Sequence, residues 1–371
     1  MYSMRSSFTV VWSAHLGGGG SAKDGPSQVT GVVSVVKRPH PQSVINTFSI
    51  AHDYYLRNVL LYSFSNPHQT IPFHGWNSCW FDAGFSEENV VEIEQLKTGM
   101  KWMWALGEYD QVAQRLMPHA ELLAEAAGVV EGMTVLDVAA GNGNFAIAAA
   151  RWGATVVATD LTPHMVELGR ARSEADSLAV EWLEADAEML PFDSDRFDLV
   201  ASVFGAMFAP RPERVATELF RVVKPGGLVA MANYASEGFL GEFTGLLFRY
   251  GPASPLPLAS PFLWGEADVI RQRFHGLAST VDVSPGSITF KFASAGHALE
   301  FWEQTNGPFI ALRSVIAPEI YQEVSEQALR LITELNKSDG DGVVLDSAYT
   351  QVVARKSESE RDEVSPEPRA W

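Results

Sequence analysis

The sequence has little cysteine and no long apolar run. Cys79 is the single cysteine among 371 residues, so the chain alone forms no disulfide, no Cys-x-x-Cys redox pair and no zinc ribbon. No stretch reaches the roughly 18 consecutive apolar residues that indicate a membrane-spanning helix. These absences favour a cytoplasmic protein that is not stably inserted in a membrane.

Positive charge is also scarce. The 27 Lys and Arg residues face 45 Asp and Glu residues, which leaves a formal net charge of −18. Such a surface repels the phosphates of nucleic acids and of anionic membranes, so we expect a small-molecule partner and no nucleic acid. An apolar fraction of 46% allows a large buried core and excludes disorder of the whole chain.

The first 91 residues differ from the rest. Five basic side chains oppose five acidic ones there, so the whole of the −18 belongs to residues 92–371. Glycines at 17–20 predict a flexible linker, while 54–85 is rich in aromatic residues and 49–64 has a helical pattern. The apolar stretch 8–16 imitates a signal peptide, but His15 interrupts it. We therefore interpret 1–91 as a partly flexible appendage of unknown function.

Residues 92–356 show a regular alternation that predicts one α/β domain. Two helical stretches, about 93–106 and 108–127, come first. Apolar strands then alternate with helices that begin near Gly143, Pro163 and Pro212, which predicts a doubly wound, mostly parallel sheet with helices on both faces. The predicted strands are 135–138, 156–158, 180–183, 199–203 and 228–231.

The C-terminal part of the domain is less regular. A stretch with period 2 at 280–292 and a run at 343–353 predict two further strands. Between them, about 295–336 has the spacing of a helical insertion. Residues 357–371 are rich in Glu, Ser and Pro and predict a disordered acidic tail.

The most informative segment is the glycine-rich turn after the first predicted strand of this domain. Gly141 and Gly143 allow a ligand to approach the backbone closely at the start of a helix. The spacing Gly141-x-Gly143-x-x-Ala146 also satisfies the dinucleotide fingerprint, so an NAD(P)-dependent oxidoreductase is an alternative. Asp137 opposes it, because a carboxylate here repels a pyrophosphate and suits a ligand with an ammonium and a sulfonium group. Asp160 ends the next strand and is placed to accept two ribose hydroxyls.

Five segments in order resemble the motifs of the class I S-adenosylmethionine-dependent methyltransferases. Within this family the chain is similar to the small-molecule branch that includes the ubiquinone and menaquinone biosynthesis enzymes, over about 101–356. The resemblance implies a Rossmann-like, seven-stranded sheet with an antiparallel last strand and a helical lid. The segments are 135–145, 157–160, 184–192, 197–200 and 219–227.

The resemblance also implies the cofactor S-adenosylmethionine and a set of contacts to it. Asp137, Gly141 and Gly143 would hold its methionine end, and Asp160 would hold its ribose. Ala139 stands where the family usually has glycine. The other implied contacts are Leu161 and Met165 to adenine, Asp186 and Ala187 to its amino edge, and Val203 and Tyr109 elsewhere on the cofactor.

Methyl transfer needs little help from acid or base groups, because the cofactor supplies the electrophile and the protein aligns the reactants. The only candidate for a general base is His164, in the turn after Asp160. No group of His, Asp and Glu residues has the spacing of metal ligands, so we expect no metal.

The acceptor pocket is expected beyond the carboxyl ends of the strands. An aromatic lining there would favour an apolar or aromatic small molecule, although each aromatic residue could equally belong to the core. A non-catalytic protein with the same fold remains an alternative, and the sequence does not indicate an oligomeric state. The candidate lining residues are Trp104, Phe204, Met207, Phe208, Asn233, Tyr234 and Trp264.

Overall fold

The computed structural model describes residues 7–16, 27–36, 87–252, 254 and 256–358. The chain divides into two units, Met1–Gly84 and Phe85–Trp371. In the first, strands β1 (Ser7–Leu16) and β2 (Ser27–Val36) pair antiparallel. The predicted linker at 17–20, the predicted helix at 49–64, the aromatic stretch 54–85 and residues 359–371 of the predicted tail lie outside the described residues.

The second unit begins with two helices. Helix α1 (Glu87–Trp104) starts six residues before the predicted helix, and helix α2 (Tyr109–Ala126) agrees closely with the prediction. Gly128 follows α2 with φ +65°, the left-handed geometry that glycine provides at a helix C-terminus.

The remaining strands form one seven-stranded sheet, in the order β5-β4-β3-β6-β7-β9-β8. Strands β3 to β7 are parallel, whereas β9 is antiparallel to both β7 and β8. This topology confirms the predicted Rossmann-like fold with an antiparallel last strand. The strands are β3 (Thr134–Val138), β4 (Thr155–Asp160), β5 (Val180–Glu184), β6 (Phe197–Val203), β7 (Val223–Gly238), β8 (Ala278–Phe292) and β9 (Val343–Lys356).

Helices connect and cover these strands. The predicted helical insertion consists of three helices, because Asn306 and Pro318 interrupt the pattern; Asn306 accepts the N–H of Phe309 at 2.9 Å and so begins a new helix. The helices after α2 are α3 (Asn144–Arg151), α4 (Pro163–Ala175), α5 (Pro212–Val222), α6 (Phe239–Tyr250), α7 (Ala267–Arg273), α8 (Ala295–Thr305), α9 (Gly307–Val315) and α10 (Pro318–Glu334).

The sheet is buried on both faces. Side chains alternate along β3, so that Val135 packs into one apolar cluster with α2, α3, α6 and α8, while Leu136 and Val138 pack into another with α5 and α7. Strand order reverses at β3, since β4 lies on one side of it and β6 on the other. A crevice at the carboxyl ends of the strands is expected at such a point. In the described part of the chain, no helix is both long and apolar enough to cross a membrane.

Candidate active site

The loop after β3 forms the floor of the crevice. Ala139, Gly141 and Gly143 all have positive φ, of 53°, 56° and 89°, in the left-handed region that favours glycine. Ala139 therefore carries strain that a glycine at this position would avoid. The loop is also approached closely by Gly205, where an added Cβ would lie 2.0 Å from the carbonyl oxygen of Ala139.

Asp137 is buried under this loop and is only half satisfied. Its Oδ2 accepts the N–H of Ala146 at 2.9 Å, whereas its Oδ1 is buried without a partner among the described residues. Burial raises the pKa of Asp137 to about 8, against the effect of the Ala146 N–H and with a contribution from the charge of Asp160. A cationic donor at Oδ1 would satisfy this atom and restore the ionised carboxylate.

Asp160 ties the end of β4 to the same loop. One oxygen accepts the N–H of Gly141 and the other accepts the N–H of Thr162, each at 2.8 Å. Burial raises the pKa of Asp160 although these two donors act in the opposite direction. Each carboxylate oxygen has two lone pairs, so this side chain can still accept hydroxyl donors from the crevice.

Most of the predicted contacts line one of two neighbouring cavities. Tyr109 and Phe204 line both, and they form the wall between the two cavities. The first cavity brings together eleven of the predicted residues: Trp104, Tyr109, Ala139, Gly141, Asp160, Leu161, Met165, Asp186, Ala187, Phe204 and Phe208. The second cavity adds two more, Asp137 and Val203.

Tyr109, the first residue of α2, lies over the glycine loop. The ring carbon Cε1 would be 3.2 Å from a Cβ at Gly141. Burial, together with the negative charge of Asp160, raises the pKa of Tyr109 to about 12. The phenol therefore stays protonated and offers a hydrogen-bond donor at neutral pH.

Three polar residues that the sequence did not single out connect α2 to this loop. Arg172 donates to Oδ1 of Asn144 at 2.7 Å and to Oδ1 of Asn142 at 3.3 Å. Asn144 in turn donates to the carbonyl of Ala113 at 2.8 Å, and Asn142 to Asp110 at 2.6 Å. The Asn-Gly-Asn sequence within the turn was the available signal, because two amides beside a glycine turn are well suited to bridge backbone segments.

The aromatic side of the crevice is built around Phe204. This residue follows β6 with φ 57°, and its ring stacks on Tyr234 with centroids 4.2 Å apart. Trp104 and Phe208 also meet, with ring centroids 5.1 Å apart. Burial raises the pKa of Tyr234 well above its usual 10, so this phenol too stays protonated.

Four predicted acceptor-pocket residues line neither cavity. Met207 is buried, and its sulfur accepts the N–H of Tyr234 at 3.4 Å. Trp264 is buried beneath the guanidinium of Arg273, 4.4 Å from the ring centroid. Asn233 is buried with Nδ2 unpartnered among the described residues, and Tyr234 stacks on Phe204, which lines both cavities. Met207 and Trp264 are core residues, which the pattern of apolar residues at strand ends does not distinguish from pocket residues.

Two further predicted residues have other surroundings. Gly143 lines neither cavity; a Cβ at this position would lie 2.5 Å from the indole of Trp182, so close packing and positive φ explain this glycine. His164 is exposed in the first turn of α4 and lines neither cavity, so the structure does not place it among the reacting groups. In the described residues, no three His, Cys, Asp or Glu side chains group as metal ligands.

The strand order, with its reversal at β3, defines an α/β protein of the Rossmann-like class. Comparisons with known proteins narrow this class. A family model described as a methyltransferase domain matches residues 136–231. An uncharacterised protein of Mycobacterium tuberculosis is 37% identical over 263 residues, which cover 70% of this chain and 94% of that protein.

Two relatives carry a functional name. The ubiquinone/menaquinone biosynthesis C-methyltransferase of Azotobacter vinelandii is 29% identical over 204 residues, 52% of this chain and 77% of its own length. The demethylmenaquinone methyltransferase of Clavibacter sepedonicus is 42% identical over 111 residues, 30% of this chain and 45% of its own length. With the fold, these matches show that the chain belongs to the class I S-adenosylmethionine-dependent methyltransferases.

Proposed function

We propose that this enzyme transfers the methyl group of S-adenosylmethionine to an apolar or aromatic small molecule. The observation that carries the proposal is the set of three carboxylates, Asp137, Asp160 and Asp186, which lie at or just beyond the ends of three adjacent parallel strands and line the two neighbouring cavities. Their order across β3, β4 and β5 suits an elongated ligand that carries an ammonium group, a ribose and an amino-substituted purine.

The residues present fit that cofactor. The unpartnered Oδ1 of Asp137 suits the ammonium group of the methionine end, and Asp160 suits the ribose hydroxyls. Asp186 and Ala187 suit the amino edge of adenine, and the apolar side chains of Leu161 and Met165, which line the same cavity, suit its ring faces. When bound, the cofactor supplies a methyl group on a positively charged sulfur.

The protein's contribution is then alignment and exclusion of water. Holding two reactants in line can account for roughly 7 to 11 kcal/mol of a barrier. The described residues that line the two cavities include no histidine, and the phenol of Tyr109 stays protonated. The three carboxylates that line these cavities are assigned to the cofactor, so a mechanism by positioning, without a dedicated general base, fits these walls best.

The apolar side of the first cavity supports the class of acceptor. Met100, Trp104, Phe204, Phe208 and Pro210 line it, and such a surface favours rings and hydrocarbon over charged groups. One relative is named as a demethylmenaquinone methyltransferase and another as a ubiquinone/menaquinone biosynthesis C-methyltransferase, which supports an aromatic acceptor here as well.

Calorimetry tests the cofactor assignment. The purified protein is titrated with S-adenosylmethionine, S-adenosylhomocysteine and NADH, and we expect saturable binding of the first two only. Binding of NADH alone would instead support the oxidoreductase alternative, and failure to bind any of the three compounds would reject both functions.

A labelling experiment tests the class of acceptor. A metabolite extract is incubated with the enzyme and methyl-labelled cofactor, and we expect the label to enter an apolar product.

A further inference from the structure

A buried lysine reaches the first cavity from α1. Only 4% of the Lys97 side chain is exposed, and Nζ lies 2.5 Å from Oδ2 of Asp186 and 2.6 Å from Oε2 of Glu188. Glu94 is more distant, at 4.0 Å. Lys97 is also one of the residues that line the cavity. A lysine is costly to bury unless its charge is paired, so this placement needs an explanation.

Glu188 does not require Lys97 for its charge. Its side chain is fully buried, but Arg211 contacts Oε2 through its terminal nitrogen at 2.6 Å and through Nε at 2.8 Å. The backbone N–H of Arg211 donates to Oε1 at 2.6 Å. Because Arg211 balances Glu188, the positive charge of Lys97 is left to balance Asp186.

These contacts hold the Asp186 side chain in one orientation. Its Oδ1 accepts the N–H of Glu188 at 2.9 Å, while its Oδ2 accepts from Lys97. The side chain keeps 21% exposure and lines the cavity. An ionised carboxylate only accepts hydrogen bonds, so Asp186 presents an acceptor edge to whatever occupies the cavity.

We propose that Lys97 is a positioning residue that fixes Asp186 as an acceptor and so makes the site select a 6-amino purine over a 6-oxo purine. The inference rests on the proposed function, since it takes Asp186 to face the purine edge. In a 6-oxo purine, the oxygen at position 6 is an acceptor and would face the acceptor edge of Asp186. A site built for hydrogen bonding strongly rejects a ligand that leaves its polar groups without a partner. Without Lys97, the Asp186 carboxylate loses the partner of Oδ2 and can rotate, so that its acceptor edge no longer faces the purine in one fixed orientation.

The test compares S-adenosylhomocysteine with its 6-oxo analogue, S-inosylhomocysteine, by calorimetry. The wild-type protein is expected to prefer the adenine compound at least a hundredfold. In Lys97→Met, we expect the affinity for the adenine compound to fall at least tenfold and the affinity for the analogue to fall less. The ratio of the two affinities should therefore be smaller than in the wild type. Lys97→Arg keeps the charge and should retain most of the preference.

Lys101 provides a matched control on the same helix, one turn further on. It pairs with Glu184 at 2.5 Å, but 38% of the Lys101 side chain and 46% of the Glu184 side chain are exposed. Exposed pairs contribute little, so Lys101→Met should leave both affinities within about twofold of the wild type.

A double-mutant cycle separates positioning from a general structural role. If Lys97 acts through Asp186, the preference measured in Asp186→Asn should not change when Lys97→Met is added. If the preference for the adenine compound is smaller in the double variant than in Asp186→Asn, the inference is overturned. The same cycle is run with Lys97→Gln if circular dichroism shows that Lys97→Met does not fold.

The remaining outcomes are distinct. Binding of S-adenosylhomocysteine by the wild type, with an unchanged ratio in Lys97→Met or Lys97→Gln, would overturn the inference and leave the proposed function standing. Failure of the wild type to bind S-adenosylmethionine and S-adenosylhomocysteine would reject the proposed function itself, and the inference with it.

Discussion

At the scale of single residues, the site combines side chains whose local state is unfavourable in isolation. Asp137 is buried with one oxygen unpartnered among the described residues, and Ala139 occupies a backbone region that favours glycine. Both lie in the turn after β3, where the chain approaches the ligand most closely. Strain and unsatisfied polar groups are commonly concentrated at functional sites, and each of these two makes a measurable prediction.

The first prediction concerns pH. The pKa of Asp137 is raised by burial from its ordinary 3.8 to about 8 in the folded state, so the folded protein holds a proton there that the unfolded chain releases above about pH 4. Stability from this group is therefore present below pH 4 and is lost as the pH rises towards 8. Asp137→Asn removes this dependence, and its unfolding free energy should gain about 2 kcal/mol on the wild type between pH 6 and pH 8.

Urea unfolding of both proteins at the two pH values measures this gain. Asp268→Asn is the control, because the Asp268 side chain is fully exposed and its hydration changes little on folding. A difference between Asp137→Asn and wild type that stays constant from pH 6 to pH 8 would show that Asp137 is ionised in the folded protein.

The second prediction concerns Ala139. Left-handed geometry costs a residue with a Cβ roughly 1 to 2 kcal/mol, while glycine costs roughly 0.5 to 1 kcal/mol in chain entropy. Ala139→Gly should therefore stabilise the protein by about 0.5 to 1 kcal/mol in urea unfolding. Ala140→Gly, at the next position and without positive φ, should be destabilising. Loss of stability in Ala139→Gly would mean that the methyl group's packing outweighs the strain.

At the scale of elements, α2 is held on the glycine loop by polar contacts as well as by its apolar face. Arg172 on α4 bonds to Asn142 and Asn144 in the loop, and these amides bond to Asp110 and Ala113 on α2. The guanidinium of Arg172 thus links helix α4, the glycine loop and, through the two amides, helix α2. These links hold Tyr109, the first residue of α2, over Gly141.

Removal of this guanidinium should loosen the start of α2. Arg172→Met loses the bonds to both amides, which is expected to cost about 1.5 to 3 kcal/mol, and hydrogen exchange of the backbone around Tyr109 should speed up. Affinity for S-adenosylhomocysteine should fall in parallel. Arg170→Met, on the same helix but exposed, should change neither quantity by much. Unchanged exchange at Tyr109 would show that apolar packing alone fixes α2.

The sequence predicted the parts of the site that are local in the chain. The turn with Asp137 and Gly141 follows directly from a strand, a glycine pair and a helix start, and Asp160 follows from the end of the next strand. Lys97 was not predicted, because its partner Asp186 lies 89 residues away and nothing in either segment marks the pair. Met207 and Trp264, predicted for the pocket, are buried in an apolar cluster and line neither cavity, because the sequence pattern does not tell which side of a chain segment faces a cavity.

At the scale of the whole molecule, the described residues that line both cavities come from the second unit alone. They lie between Lys97 and Pro210, whereas the first unit ends at Gly84. The strands and helices of the second unit also form their own core.

A truncated protein that starts at Phe85 should fold and bind the cofactor, because the second unit has its own core and its own cavities. We expect its melting temperature to lie within about 3 °C of the full chain, a change of less than about 1 kcal/mol, and its affinity for S-adenosylhomocysteine to lie within about twofold. Differential scanning calorimetry and titration measure these quantities. A truncated protein that folds but binds at least tenfold more weakly would show that the first unit takes part in the site.

The confinement of the cavity lining to 97–210 also bears on how the family can diverge. The main constraint on strands β8 and β9 and helices α8 to α10 is that their buried side chains pack in the core. A core tolerates replacement of its residues by other apolar residues of similar volume. Mutations there can accumulate in lineages without touching the groups that face the cofactor. We therefore expect the sequences of relatives to be more similar to one another within residues 97–210 than in the residues that follow.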